Sequence, residues 1–479
     1  MESYPLSTAS KLKTPFIFKA ATVADTLLKN ALFLPSLLFL ISFFIFAMLS
    51  PQALLNGDAA LYEQQIRNLD FAQRTTHLGY YLIGIPFIHL LPLPPDYALN
   101  LMNCFYGALC VSVLFLIASR ITHDRQVSLI AAILLLTHYQ FACSAVFAEV
   151  YVPQLFFFML SIALLLLNKP VTAGFSYGLS FLITPSALFG LTMLIPFRRN
   201  KQLLLRFIVT TLLLALAVLS SHLSDYLSGG RGLFKASQAV MSINRALLKE
   251  VGEFIPGMLW YIPFLFAGVI EVVKDKRFRV WGMAIFMMWL VTFTVGERFG
   301  DVPVQLPTYA FICIIGGFGF HAVLCFCHQK GRIIMVGVCI FFILGASITA
   351  MISFKRIKET GAQLKEYRDT VFSLQHVAHP GFITLGSWTQ GVLFEHYLYK
   401  RSYTGVWINT EWLSGLWGVV MREKSIEKLN RALLSGQEIW LLNADPLLFS
   451  QLKEQGYTIE PFRLVFRAFP KSGAVYNQQ

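Results

Sequence analysis

The chain has 479 residues, of which 56% are hydrophobic and only 14% charged, and its formal net charge is +13. Soluble domains average about 25% charged residues, so this composition excludes an ordinary soluble globular protein and indicates an integral membrane protein. The basic excess carries no stripe of interleaved aromatics. That argues against a nucleic-acid partner and fits orientation by cytoplasmic Lys and Arg.

Residues 1–30 contain the basic segment KLKTPFIFKAATVADTLLKN. They lack a small-residue cleavage signal and read as a cytoplasmic tail. A spanning helix needs about 20 mostly apolar residues. Such stretches are predicted at Ala31–Ser50, Leu99–Arg120, Val127–Phe147 and Val152–Asn168. The apolar run from Val171 to Phe197 is interrupted by Thr184-Pro185 and is predicted as two short spans, because Pro removes a donor and disfavours helix before it. Further spans are expected at Leu203–Leu223, Phe254–Val273, Val280–Val295, Leu306–Cys327 and Ile333–Ile352. The total is about eleven spans within residues 31–353.

GYYLIGIPFIHLLPLPP, inside the first outer loop (51–97), is apolar but short and Pro-rich, and reads as an interfacial or half-buried helix. With the N-terminus inside, that choice puts the basic connections SRITHDRQ, FRRNKQ, VVKDKRFR and HQKGR on the cytoplasmic side, as the positive-inside rule requires.

The seven Cys all lie in or beside apolar segments; Cys325 and Cys327 form C-x-C, not a zinc or redox spacing, and all seven read as small apolar helix residues. Residues 354–479 are more polar. GFITLGSW, EIWLLNA and YTIEPFRLVFRAF read as strands, alternating with helices in VLFEHYLYKR, SIEKLNRALLSG and PLLFSQLKEQG, the pattern of a small α/β domain. An odd span count puts this domain outside the cell.

Carboxylates gather on the outer loops: Asp58, Glu63 and Asp70 after the first span, Glu149 in SAVFAEVYVP, and Glu297 and Asp301 in VGERFGDVPVQLP. Ionisable groups at membrane depth tend to mark function. Asp58, set after a Gly in apolar sequence, and Glu149, framed by Phe147, Val150 and Tyr151, are the functional candidates. Glu63 and Asp70 read as solvated loop charges. No His/Cys cluster has transition-metal spacing, so no metal ligands are assigned.

The motifs N-G-D-x-x-x-Y from Asn56, T-H-L-G-Y-Y-L around His77 and A-E-V-Y at Glu149 resemble the class-C (GT-C) glycosyltransferase superfamily, in particular its protein O-mannosyltransferase-like bacterial branch. GERFGDVPVQLPTY and the strand end GFITLGSW are similar to that branch too. The resemblance implies a polytopic α-helical membrane protein of the bacterial inner membrane with an extracytoplasmic α/β domain. It implies inverting transfer of a sugar from a polyprenyl-phosphate carrier to a glycan, lipid or protein acceptor on the outer face. In that chemistry Asp58 is the general base. Glu149 orients the acceptor or holds a divalent cation, the one cofactor expectation, and His77 hydrogen-bonds the sugar or a carboxylate. The donor phosphate calls for cations at headgroup depth, and Arg298, Arg231 and Lys235 are the candidates, Arg through its planar fork; Asp301 is a further candidate. A flippase for lipid-linked sugars, favoured by broken helices with midplane charges, and a non-catalytic scaffold of the same fold are the competing readings.

Overall fold

The computed structural model describes residues 32–70, 77–227, 259–299, 305–374, 383–386, 406–409, 438–442 and 446–470, with isolated positions between 390 and 431; residues 217–227 and 293–299 are described as backbone only. The helices are α1 (Phe33–Leu49), α2 (Gly57–Asn68), α3 (Leu78–Leu90), α4 (Pro95–Thr122), α5 (Arg125–Thr137), α6 (Tyr139–Val146), α7 (Tyr151–Leu166) and α8 (Pro170–Ile183). A 3-10 segment, Pro185–Phe197, is followed by α9 (Lys201–Leu227), α10 (Ile262–Lys274), α11 (Lys276–Phe299), α12 (Leu306–Lys330) and α13 (Arg332–Leu374).

The core is built around α4. Pro95 occupies its first turn, where a missing N–H costs nothing. The helix ends at His123, whose left-handed φ of 56° lets the chain turn at once into α5. There Asp124 caps the new helix by accepting from the backbone N–H groups of Gln126 (2.7 Å) and Val127 (3.1 Å). Most of α4 is buried. The outer helices instead expose large apolar side chains, among them Leu205, Leu213, Phe286, Ile333 and Ile343. In water such a surface would be a liability; against lipid it is the expected one. Among the described residues α4, α12 and α13 are long and apolar enough to cross a membrane.

Close helix crossings rest on glycine. A Cβ added at Gly319 of α12 would sit 1.6 Å from the Phe264 carbonyl oxygen, and one at Gly268 of α10 would sit 1.9 Å from that of Ile315. The two backbones therefore touch, the small-residue packing typical of membrane helices.

Two expectations change. The single span Val127–Phe147 is two helices, α5 and α6, bent by 65° at His138, which adopts extended backbone. The His138 ring itself caps α6 by accepting from Phe141 N–H (3.4 Å). The interruption at Thr184-Pro185 is present, with Thr184 extended at φ −157°, but the second half is 3-10 and not α-helical. The chain also stays helical across residue 354, where the more polar part begins. α13 continues for 43 residues to Leu374, a length of about 65 Å that is twice a bilayer core. Its polar second half is helical because Gly361 packs on Pro51 and Thr370, Val371 and Leu374 are buried. The apolar segment read as interfacial is α3, 13 residues with Pro86 inside; at about 20 Å it is too short to cross.

The C-terminal part is a five-stranded sheet of order β2-β1-β3-β5-β4. β1 (Ile383–Gly386) pairs in parallel with β2 (Val406–Asn409) and β3 (Ile439–Leu441), and β3 pairs antiparallel with β5 (Val465–Pro470). The terminal segment expected as one strand is a hairpin of β4 (Tyr457–Phe462) and β5, turning at Arg463 with φ 52°. β2 was not expected. Helix α14 (Pro446–Glu454) stops before Gly456, whose φ of 81° favours glycine. Alternation along β3 splits the sheet into two faces. Ile439 and Leu441 pack with Leu385, Leu452 and Tyr457, while Trp440 and Leu442 join the continuous core that includes Val371 and Leu374 of α13.

Candidate active site

One face of α4 organises the outer end of the bundle. Asp96, Asn100 and Asn103 are spaced four and three residues apart, so they stack on the same side of the helix. All three are buried. Asn100 donates to the carbonyls of Pro51 (2.9 Å) and Ala53 (3.0 Å) and accepts from Ala148 N–H (2.8 Å). It thereby pins the start of the first outer loop beside the Phe147–Val150 junction. Asn103 donates to the carbonyls of Glu149 (2.7 Å) and Ser144 (3.2 Å) and accepts from the Tyr80 hydroxyl (3.2 Å). Burial, and then the charge of Glu149, push the Tyr80 hydroxyl well above its ordinary pKa, so it stays a donor.

These anchors bring together the segments that carry two of the predicted site residues. Asn56 caps α2 by accepting from Ala59 N–H (2.8 Å), and its amide group donates a short hydrogen bond to Glu149 Oε1. Asp58 lies in the first turn of the same helix. The helix start that carries Asp58 is thus tied directly to the Glu149 side chain, and both carboxylates are half-buried. Acidic residues suit this position, since the N-terminal helix dipole favours negative charge.

His77 is the residue before α3. Its Nδ1 lies 2.7 Å from the Ile183 carbonyl oxygen, and its ring packs edge-on against Tyr62 at 5.3 Å. One partner of the ring is thus the backbone at the end of α8. Gly79 lets α3 approach that point, for a Cβ there would meet Ile183 N at 2.8 Å.

The reading of Glu63 as a solvated charge is overturned, because its exposure is 0%. The cause is tertiary: the C-terminal part covers it. His396 Nδ1 lies 3.7 Å from Glu63 Oε2, and His396 Nε2 lies 3.2 Å from Asp96 Oδ1. Arg67 Nη1 stands 3.7 Å from Glu63 Oε1. Nearby, the Tyr397 hydroxyl accepts from Leu54 N–H (3.2 Å), and Arg368 of α13 donates to the Gln52 carbonyl. Burial and then the Asp96 charge raise the Tyr397 hydroxyl above the usual tyrosine range. Asp70, by contrast, is exposed, as expected.

Arg298 falls in the last turn of α11, where the backbone alone is described. Arg231, Lys235 and Asp301 lie outside the described residues. Sequence reasoning missed Asn56, Asp96, Asn100, Asn103 and His396. The signal available for three of them was D-x-x-x-N-x-x-N on one face of an otherwise apolar helix.

No family model matches the chain, and no curated protein does. Solved structures do. ArnT from Cupriavidus metallidurans bound to undecaprenyl phosphate superposes with a TM-score of 0.62 at 12% identity, over 94% of this chain and 100% of that one. The same enzyme in its apo state gives a TM-score of 0.58 at 11% identity, over 90% and 97% of the two chains. The chain shares its fold with ArnT, and its long apolar helices are those of an integral membrane protein.

Proposed function

We propose that the protein transfers a sugar from a polyprenyl-phosphate carrier to an acceptor at the extracytoplasmic face of the membrane, with inversion and with Asp58 as general base. The observation that carries this reading is the Asn56–Glu149 hydrogen bond, which joins the Asp58 helix start to a second carboxylate loop. That junction sits within a fold that, in ArnT, is seen with undecaprenyl phosphate. An acceptor hydroxyl placed beside Asp58 loses its proton to the carboxylate as its oxygen attacks the anomeric carbon; the lipid phosphate leaves without needing an acid, since it is already a stable anion. Glu149 orients the acceptor or holds a divalent cation. The acceptor class is glycan, lipid or protein. The test is release of polyprenyl phosphate from a lipid-linked sugar in proteoliposomes of purified protein. Transbilayer movement of the intact donor without sugar release would favour a flippase, and neither activity a scaffold.

The donor phosphate is assigned to Arg298. It lies in the last turn of α11, and a guanidinium binds phosphate through two parallel N–H bonds. Arg298→Ala weakens donor binding about tenfold or more, with thermal stability unchanged, as read by lipid-donor titration of the purified protein. Equal donor affinity in the two proteins would remove Arg298 from the site.

The orientation follows from the same reading: eleven crossings, a cytoplasmic N-terminus and an external C-terminal domain. The contacts of His396, Tyr397 and Arg368 with the first outer loop support a common side for that domain and the loop. In a Cys-free background and intact cells, an impermeant thiol reagent labels Ser450→Cys, and labels Lys201→Cys only after lysis. The reverse pattern would invert the topology.

A further inference from the structure

Glu63, Asp96 and His396 come from α2, the first turn of α4 and the C-terminal domain, yet they form one buried cluster. One potential ligand atom from each lies within 4.8 Å of the other two. We infer that this cluster is a divalent transition-metal site that clasps the C-terminal domain onto the first outer loop.

The argument is one of donor set, burial and charge. Two carboxylates and one imidazole are ligands a borderline cation such as Zn²⁺ or Mn²⁺ accepts, and the imidazole disfavours Mg²⁺ or Ca²⁺. Tetrahedral coordination at bonds of about 2.0–2.1 Å sets ligand atoms about 3.3 Å apart. The two ring nitrogens face different carboxylates, Nε2 at 3.2 Å from Asp96 Oδ1 and Nδ1 at 3.7 Å from Glu63 Oε2, so one nitrogen and both carboxylates reach a shared ion by rotation of the side chains within a cluster whose ligand atoms already lie within 4.8 Å of one another. Glu63 is 0% exposed and Asp96 and His396 are each 5% exposed. Burying two carboxylates side by side is costly unless their charge is met. Arg67 and His396 already contact these carboxylates, and a dication held between Glu63 and Asp96 adds positive charge where both are buried.

The site has a mechanical consequence. The ligands are separated by up to 333 residues in sequence order, with 300 between Asp96 and His396 alone. The metal therefore closes a long loop and holds the domain over the loop that carries Asp58, although it touches neither Asp58 nor Glu149. It is a clasp and not part of the proposed transfer chemistry, so its test does not depend on sugar transfer.

The full-length protein is purified without chelator, desalted and assayed for metal, then stripped and titrated with Zn²⁺ and with Mn²⁺. One equivalent binds per chain. His396→Ala and Asp96→Asn each lower the affinity at least tenfold. X-ray absorption of the zinc-loaded wild type shows oxygen and nitrogen neighbours and no sulfur, which excludes the seven cysteines as ligands. Stripping also speeds proteolysis after residue 374, and zinc restores protection in the wild type but not in Asp96→Asn. Should the substituted proteins fail to fold, the wild-type stoichiometry and absorption spectrum still decide. The inference falls if the wild type takes up no more of either metal than Asp96→Asn, if sulfur ligates the zinc, or if stripping leaves the proteolysis rate unchanged; the cluster is then an ion-pair contact alone.

Discussion

Asp58→Asn lowers sugar transfer by about 10²-fold or more while leaving expression and donor binding nearly intact. Asn preserves the shape of the side chain and its hydrogen-bonding reach but cannot accept the acceptor's proton, and loss of a positioned general base costs on this scale. A hundredfold loss corresponds to about 2.7 kcal/mol of transition-state stabilisation. The fold tolerates the change because Asn is itself favoured near helix N-termini, and the cap of α2 is supplied by Asn56 and not by Asp58. Asp70→Asn is the control: Asp70 is exposed just beyond the other end of the same helix, and its loss costs little. Glu63→Gln cannot serve, since Glu63 is buried under His396. Sugar transfer in proteoliposomes and donor titration together read the result. Unchanged turnover in Asp58→Asn would remove Asp58 from the chemistry, and a collapse of donor affinity with unchanged turnover of bound donor would recast it as a binding residue.

The membrane helices were legible because apolar length is a one-dimensional property. Windows such as Leu306–Cys327 needed no knowledge of neighbours to yield α12, and the same holds for α4. Asp58 and Glu149 stood out for a related reason: each interrupts apolar sequence. What the sequence could not display was which surfaces become covered. Glu63 occupies a helix whose other residues include Gln65 and Arg67, so by pattern it belongs to a wet face. It is dry because His396, 333 positions away, lies against it. The extension of α13 to Leu374 was hidden in the same way. KRIKETGAQLKEYRDTV is polar enough to end a span, but it remains helical because Ile357, Gly361 and Val371 find a surface on the first outer loop and the sheet. The break in the chain at Pro185 was readable from backbone chemistry, whereas the bend at His138 has no Pro or Gly to announce it.

Asn100→Leu strongly destabilises the protein and abolishes transfer with it. Leu matches the size of Asn but offers neither donor nor acceptor. The carbonyls of Pro51 and Ala53 and the N–H of Ala148 then lose the side chain that satisfies them, in a position with 0% exposure. Each buried backbone group left unmatched costs about 1–3 kcal/mol, so the total is on the order of 3–5 kcal/mol even after partial relaxation. Asn100→Asp separates the contributions. It keeps the acceptor for Ala148 N–H but replaces the donor facing two carbonyls with an oxygen, so it remains destabilised, though it can recover one bond. Thr210→Val is the reference: that hydroxyl donates within its own helix, to the Arg206 carbonyl, and Val keeps the shape of the half-buried side chain. Thermal unfolding in detergent therefore ranks Thr210→Val near the wild type, with both Asn100 variants well below it. The consequence for function follows from geometry, because the two segments Asn100 joins are those that carry Asp58 and Glu149. A variant that still folds, for instance Asn100→Asp in a lipid-supplemented preparation, loses turnover more than donor affinity, since the carboxylates move relative to each other while the lipid groove between the helices is untouched. If Asn100→Leu instead melts with the wild type and transfers sugar normally, the two outer loops are positioned by something other than the polar face of α4, and the placing of the Asp58 helix start beside Glu149 loses its structural basis.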